Sequence, residues 1–528
     1  MHSKLIFYIV VLLSGLLKPL PVLAFDRAAF ESVVLAEGDE RFKALDTLVA
    51  EADNQTPVLL KALLEGELQR AGKQIIWVHE GRNIDPLTQA PLSSELPDKE
   101  DVVVNNRLRG ALESALAALK LVSTDHKTRL AAAKELVVSA EEGMKPIVKK
   151  ALAKETDATI KALLESILAT MELKSTEVPL RLQAVQVLGQ SSNSNAKTAL
   201  LAALEVESDE GVKQAIKTSL KQVETRLVWG QRLGLVFAGL SLGSILLLAA
   251  LGLAITYGLM GVINMAHGEL IMIGSYSTFV VQNLFRHIPA FFDWYLLFAI
   301  PVSFIVSALV GMLLERGVIR WLYGRPLETL LATWGISLVL MQTVRTFFGA
   351  QNVQVENPSF MSGGIVVMSN VVLPWNRIII VIFAIAVLLA VGWTLTRTRL
   401  GLFVRAVTQN RAMASCVGVP TAKVDTLAFG LGSGIAGLAG CALSQIGNVG
   451  PDLGQSFIVD SFMVVVLGGV GQLAGTVYAA LGLGFANKLL ESWSGAVIAK
   501  IVVLVFIIMF IQKRPQGLFA LKGRSVES

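Results

Sequence analysis

Hydrophobic and polar positions change character near Arg232. Before it, apolar residues recur at helical spacing among dense Lys, Arg, Asp and Glu; after it, long apolar runs follow one another with few charges. In the first part, Asn105 and Asn106 precede a run whose Leu108, Leu112, Leu116 and Leu119 share one stripe, predicting an amphipathic helix to Leu121. An internal repeat follows. Arg129 to Leu136 aligns with Arg181 to Leu188. Ala151, Leu152, Glu155, Asp157, Ile160 and Lys161 then align without a gap with Ala203, Leu204, Glu207, Asp209, Val212 and Lys213, always 52 residues on. Two helix-turn-helix copies with acidic turns predict a short HEAT-like stack, since neither copy buries its apolar face alone. Such a stack is a contact surface or a spacer. Between Lys73 and Val104 the texture differs: Gln74 to Val78 and Val102 to Val104 read as strands of a small β-hairpin around a Pro-rich loop.

Beyond Arg232 the apolar runs fall at roughly 234–256, 259–282, 294–318, 328–349, 377–396, 424–446, 459–487 and 495–512. Each is long enough to cross about 30 Å of hydrocarbon at about 1.5 Å per residue. The expected fold is all-α: a polytopic helical membrane protein of about eight or nine segments, behind an extracytoplasmic helical domain. Met1 to Ala24 has Lys4, an apolar core from Leu5 to Leu17 and a small-residue end at Ala24, the pattern of a secretory signal or of an uncleaved anchor. The expected organisation is therefore 1–24 signal, 25–227 helical domain and 228–528 membrane domain.

Basic residues set the orientation. The linker from Arg397 to Lys423 carries Arg397, Arg399, Arg405, Arg411 and Lys423 and no acid, so it is expected on the cytoplasmic side. The turn with Arg316, Arg320 and Arg325 and the tail with Lys513, Arg514, Lys522 and Arg524 should share that side. The segments 350–376 and 447–458, charged only at Glu356 and Asp452, should face out. Single crossings through all the runs leave the tail on the wrong side. The run 459–487 resolves this, because Gly468, Gly469, Gly471 and Gly475 can break it near mid-membrane and return it to the outer face. Non-helical backbone at that depth must be covered by protein or line a water-filled cavity, so the break is a pathway wall or a packing kink.

Composition agrees: 53% of the 528 residues are hydrophobic and only 16% charged. The net charge of +5 sits largely in membrane loops, so no nucleic-acid partner is expected. Cys416 and Cys441 both lie in the apolar half, leaving no disulfide framework for the other. Enzymatic motifs are missing. His267-Gly268-Glu269 lacks the second His of a zinc pair, no His follows Ser433, and no GxxxxGK[ST] loop occurs. Neither metal nor cofactor is called for, and a primary transporter built on this chain needs separate ATPases.

The polar residues stand out against this background. Gly258 to Tyr276 reads GLMGVINMAHGELIMIGSY and places Asn264, His267 and Glu269 at membrane depth among Gly258, Gly261, Gly268 and Gly274. A carboxylate near the bilayer centre costs about 2.5–3.5 kcal/mol, so Glu269 should be paired, hydrated or near an interface; a kinked packing junction is the plain alternative. The run Gly261 to Glu269 resembles the permeases of high-affinity branched-chain amino acid ABC importers. So do Val464 to Gly471 (VVVLGGVG) with Asp460 ahead of it, and the linker with Gly401, Arg405-Ala406, Asn410, Ala414 and Gly418-Val419. Together these cover roughly Leu233 to Phe519.

The resemblance implies a substrate pathway along Asn264, His267, Glu269, Asp460, Gly468, Gly469 and Gly471. It implies a short coupling helix, docked on an ATPase, at Gly401, Arg405, Asn410, Arg411 and Gly418; a solvated basic loop is the alternative there. It also implies two ATP-binding subunits, a second permease subunit, an extracytoplasmic substrate-binding protein and surrounding lipid in a bacterial inner membrane. The long extension ahead of the membrane half, with its VNNRLRGALESALAAL helix (Val104 to Leu119), and Gln472-Leu473-Ala474 resemble the urea importers within the family. Small residues at Gly430 and Gly434, Gly437 and Cys441, and Gly471 and Gly475 permit close helix contacts. A passive channel or ion-coupled carrier uses broken helices too, and a membrane-anchored scaffold is the third alternative.

Overall fold

A computed structural model describes residues 26–519, apart from 37, 52, 54, 73, 80–81, 89, 93–98, 140–141, 262 and 369. The expected signal (Met1 to Ala24), Val262 of the first motif, and Lys522 and Arg524 of the tail lie outside the described residues. The chain divides into two compact units between Val228 and Trp229.

The first unit opens with α1 (Arg27–Leu35), α2 (Asp39–Glu51) and α3 (Thr56–Leu64). A four-stranded antiparallel sheet follows, in the order β3-β2-β1-β4, from β1 (Leu68–Ala71), β2 (Gln74–His79), β3 (Arg82–Ile84) and β4 (Glu100–Asp101). The expected hairpin is corrected here. Gln74 to Val78 is a strand, but its partners are β1 and β3, and Val102 to Val104 form no strand. The cross-strand bonds Arg70 to Glu100 (2.7 Å) and Gln69 to Asp101 (2.9 Å) fix β4 just upstream, while Val102 and Val104 turn onto the hydrophobic core. After it, α4 (Asn106–Lys120) begins where Asn105 Oδ1 accepts the Leu108 N–H at 2.8 Å. Leu108, Leu112 and Leu119 bury along its predicted stripe.

The repeat is geometric as well as sequential. Helices α5 (His126–Ser139), α6 (Lys145–Lys154) and α7 (Ala158–Glu172) are followed by α8 (Val178–Gln190), α9 (Ser194–Val206) and α10 (Glu210–Met260). In the first copy Arg129 Nε donates to Glu155 Oε2 at 2.8 Å, and its Nη1 reaches the carbonyls of Ser123 and Thr124. In the second, Arg181 Nε donates to Glu207 Oε2 at 2.8 Å, and its Nη1 reaches Ser175 and Thr176. The other oxygen of each carboxylate accepts two backbone N–H groups, from Thr156 and Asp157 or from Ser208 and Asp209. Asp157 and Asp209 then cap the next helix at Ile160 and Val212. Each acidic turn is thus a clamp that holds three helices.

Helix α10 runs unbroken for 51 residues, so the change of texture near Arg232 falls inside a helix rather than in a linker. The second unit continues with α11 (His267–Arg286), α12 (Tyr295–Gly317), α13 (Pro326–Phe348), a hairpin of β5 (Gly364–Met368) and β6 (Val371–Pro374), and α14 (Trp375–Arg397). Then come α15 (Arg399–Gln409), α16 (Arg411–Cys416), α17 (Thr421–Ser444), α18 (Leu453–Gly468), α19 (Leu473–Ser494) and α20 (Ala496–Lys513). Among the described residues, seven helices are long and apolar enough to cross a membrane; α11 and the 16-residue α18 are not among them. The chain is a polytopic helical membrane protein.

Two expected spans are redrawn. The run 259–282 is not one helix: α10 ends at Met260 and α11 starts at His267. The run 459–487 is two helices that meet at a turn, with Gly469 at φ +99° and Gly471 at φ +79°, values that favour glycine. The helices interlock through small residues. Gly437 meets Ser303 and Ser307, Gly434 meets Phe304, and Gly430 meets Met312, so α17 lies antiparallel to α12 within the same chain.

Candidate translocation site and coupling segment

The first helix break is built by its sequence. At Gly261 the chain takes φ +65°, which ends α10 and frees the backbone to turn. Asn264 Oδ1 accepts the Ala266 N–H at 3.0 Å and launches α11. Glu269 lies in the first turn of α11, where the helix dipole favours a negative charge. Gly268 sits against the backbone of Gly454 in α18. The second break meets the last turn of α10 instead, at the other end of α18: a Cβ on Gly258 would stand 2.5 Å from the Cα of Gly471, more than 200 residues on in sequence.

Asn264, His267 and Glu269 are all at most 1% exposed. They do not share one pocket wall. The His267 Nε2 lies 3.0 Å from the Ala249 carbonyl of α10. A carbonyl only accepts, so Nε2 carries the proton and Nδ1 presents a lone pair, which has no partner among the described residues. Glu269 faces α13 instead, where Ser337 Oγ donates to its Oε1 at 2.8 Å. Its Oε2, the Asn264 Nδ2 and the Tyr276 hydroxyl are buried and have no hydrogen-bond partner among the described residues. Buried polar groups in hydrocarbon are normally paired, so these atoms keep unused hydrogen-bonding capacity.

The face of α13 turned to α11 went unrecognised in the sequence. The buried residues of α13 are Thr329, Thr333 and Ser337, at i, i+4 and i+8. Thr333 Oγ1 accepts the Met265 N–H at 3.2 Å, and further up the seam Tyr276 packs on Phe348 with centroids 4.7 Å apart. An apolar helix whose buried stripe consists of hydroxyls is the signal that would have found it.

The remaining expected pathway residues lie elsewhere. Asp460 Oδ2 accepts from Lys500 Nζ of α20 at 3.4 Å, a partner the sequence reading did not supply. Gly468 packs on Gly475, Gly469 on the backbone of Phe519 and Gln516, and Gly471 on Gly258. These contacts give the second break a packing role. Its turn is also held from outside, because the Leu518 N–H donates to the Leu467 carbonyl at 2.9 Å.

In the linker, α15 starts at Thr398, whose hydroxyl accepts the Gly401 N–H at 3.3 Å, and α16 starts at Asn410, whose Oδ1 accepts from Met413 at 2.9 Å. Gly401 permits close approach to the backbone of Leu395. Gly418 ends the segment at φ +91°. Val404, Val407 and Ala414 pack on Val424 and Ala428 of α17. Arg405, Leu402 and Met413 are exposed, and Arg405 Nε donates to the Gly401 carbonyl at 3.3 Å. Arg411 pairs with Asp425 of α17 and lies 4.8 Å above the Tyr323 ring.

Residues 235–512 match the family model described as the branched-chain amino acid transport system permease component. The chain belongs to this permease family. Among curated relatives, the high-affinity branched-chain amino acid transport system permease protein BraD of Pseudomonas aeruginosa is 29% identical over 53% of this chain and 93% of its own length. LivH of Escherichia coli K12, named for the same transport system, is 30% identical over 54% of this chain and 94% of its own length. A probable LivH of Methanocaldococcus jannaschii is 25% identical over 52% and 88%. No solved structure matches the chain. The permease match falls wholly within the second unit and contains both helix breaks, the α11–α13 seam and the linker.

Proposed function

We propose that this permease imports a small polar solute, urea in the first instance, through a bacterial inner membrane. Movement is by alternating access, driven by two separate ATP-binding subunits. A second permease subunit completes the pore and an extracytoplasmic binding protein delivers the solute. The observation that carries the reading is the break between α10 and α11, which sets buried, half-satisfied Glu269 in the first turn of α11, since discontinuous helices at membrane depth are where transporters hold their solutes. Glu269 Oε2 can only accept while the carboxyl is ionised, so a solute that offers N–H groups suits it.

Topology supports the same reading. With the first unit outside, α10 to α14 bring the chain in, so Arg397 to Lys423 lies with the ATPases. Helix α17 returns it. At about 1.5 Å per residue α18 reaches only about 24 Å, short of the about 30 Å core, before α19 leads back out. Helix α20 then ends inside with Lys513 and Arg514, as the basic residues require.

Urea is preferred because the first unit, with its α4 helix, resembles the extension of urea importers. The printed names of the relatives favour branched-chain amino acids as the second reading. Uptake of labelled urea and labelled leucine, in cells lacking and then regaining this chain, separates them. Urea uptake that returns with the chain and stops with vanadate is the expected result. Leucine uptake alone selects the second reading, and uptake that persists without ATP hydrolysis overturns an ATP-driven importer.

A further inference from the structure

Below the linker, the ends of α12 and α17 enclose a second buried charge that the pathway does not use. Glu315, in the last turn of α12, has no exposed side-chain surface. Thr426 Oγ1 donates to its Oε2 at 2.6 Å, the Tyr323 hydroxyl donates to its Oε1 at 3.1 Å, and Arg320 Nε stands 3.6 Å away. Arg320 Nη2 also donates to Thr426 Oγ1 at 3.3 Å, which closes a ring of Glu315, Arg320 and Thr426, with Tyr323 attached at Glu315. One residue before Thr426, the almost fully buried Asp425 takes Arg411 of α16, and the same Arg411 lies over the Tyr323 ring. The two carboxylates thus share Tyr323 and Arg411 as neighbours, and a single connected network runs from α16 to α12.

We propose that Glu315, Arg320, Tyr323, Asp425 and Thr426 form a polar latch through which a displacement of α15–α16 moves α12 and α17 as one body. Physically, a buried carboxylate cannot change partners cheaply. Pulling Arg411 away would leave Asp425 with a buried, unpaired charge, so α17 follows α16 instead. Because α17 carries Gly430, Gly434 and Gly437 in close contact with α12, and Gly437 also against Gly274 of α11, movement passes on to the seam that holds Glu269. These are positioning residues, and their role rests on the reading of the linker as the ATPase contact.

The test uses the whole transporter, with its ATPase subunits and binding protein, in proteoliposomes, and reads ATP hydrolysed per solute imported. Asp425→Asn keeps size and one acceptor but removes the charge that holds Arg411; the ratio is expected to rise at least fivefold, with ATPase subunits still co-purifying. Tyr323→Phe keeps the ring beneath Arg411 and deletes only the hydroxyl on Glu315; its ratio is expected to rise about twofold. Arg411→Lys, which retains the charge, should stay near the parent value. An unchanged ratio in both Asp425→Asn and Tyr323→Phe overturns the latch. If Asp425→Asn fails to assemble, an unchanged Tyr323→Phe ratio alone does so. A parent assembly that imports without hydrolysing ATP overturns instead the importer reading on which the latch stands.

Discussion

In the first unit, each oxygen of Glu155 and of Glu207 has a donor, an arginine on one side and two backbone amides or more on the other. In the second unit, the comparably buried Glu269 has a single hydroxyl and a bare second oxygen. The difference teaches which carboxylate is there to hold the fold. A saturated carboxylate has no bonding capacity left for a ligand, and its removal is felt as lost stability. An unsaturated one weakens the fold and keeps its capacity for something that arrives later.

Removing one side of the saturated pair should have the largest effect. Arg181→Met keeps the aliphatic stem but leaves Glu207 buried without its cation, a change expected to cost about 3 kcal/mol, toward the lower end for a broken buried pair. Hydrogen exchange on the purified chain reads it locally: amides of α8 and α9 should exchange faster while those of α11 and α17 keep their protection. Equal loss in α11 would mean that the clamp is not confined to its own repeat.

Glu269→Gln should act with the opposite sign on stability. Glutamine keeps the acceptor for Ser337 and removes an incompletely solvated charge, so thermal stability should hold or rise while solute uptake falls about tenfold, or about 1.4 kcal/mol of transition-state interaction. Ser337→Ala is expected to change uptake by about threefold, the scale of one lost neutral hydrogen bond. Uptake per inserted protein, measured beside the melting temperature, checks both. A Glu269→Gln chain that transports normally and melts lower would make Glu269 a structural carboxylate like Glu207.

How much of this was legible varied with the physics involved. The 52-residue register announced the clamps because each needs Arg, Glu and Asp at fixed places along a helix-turn-helix. Glycines announced the second break, where positive φ at Gly469 and Gly471 favours that residue; the first, at Gly261, was hidden inside an apolar run that reads as one span. The α13 stripe was missed because Thr329, Thr333 and Ser337 are individually unremarkable within a hydrophobic run. The latch was missed for another reason: Glu315 and Asp425 are brought together by tertiary packing across 110 residues of sequence, and local periodicity carries no trace of that. The strand expected at Val102 to Val104 failed on a related point. These residues have high strand propensity, yet Val102 and Val104 pack on the core and the three join no ladder.

The smallest effect, and the one that tests the comparison most narrowly, is the response to acid. Hydrogen bonds from Arg129 and Arg181 hold the Glu155 and Glu207 carboxyls below their ordinary range, outweighing the opposing cost of burial. A carboxyl whose folded value is depressed binds its proton more readily in the unfolded chain. Its stabilisation is therefore fully present above the unfolded value near 4.5 and is lost as pH falls through the folded value. Protection of α6 and α9 should accordingly decline with acid only below about pH 4.5. A Glu155→Gln, Glu207→Gln double variant should start from lower protection and show a flatter acid slope, because the carboxyl that each arginine holds is gone and only the capping Asp157 and Asp209 are left to titrate in the turns. If that variant kept the parent slope, other groups would be setting the acid response. The satisfied carboxylates would then no longer be the feature that distinguishes the first unit from the second.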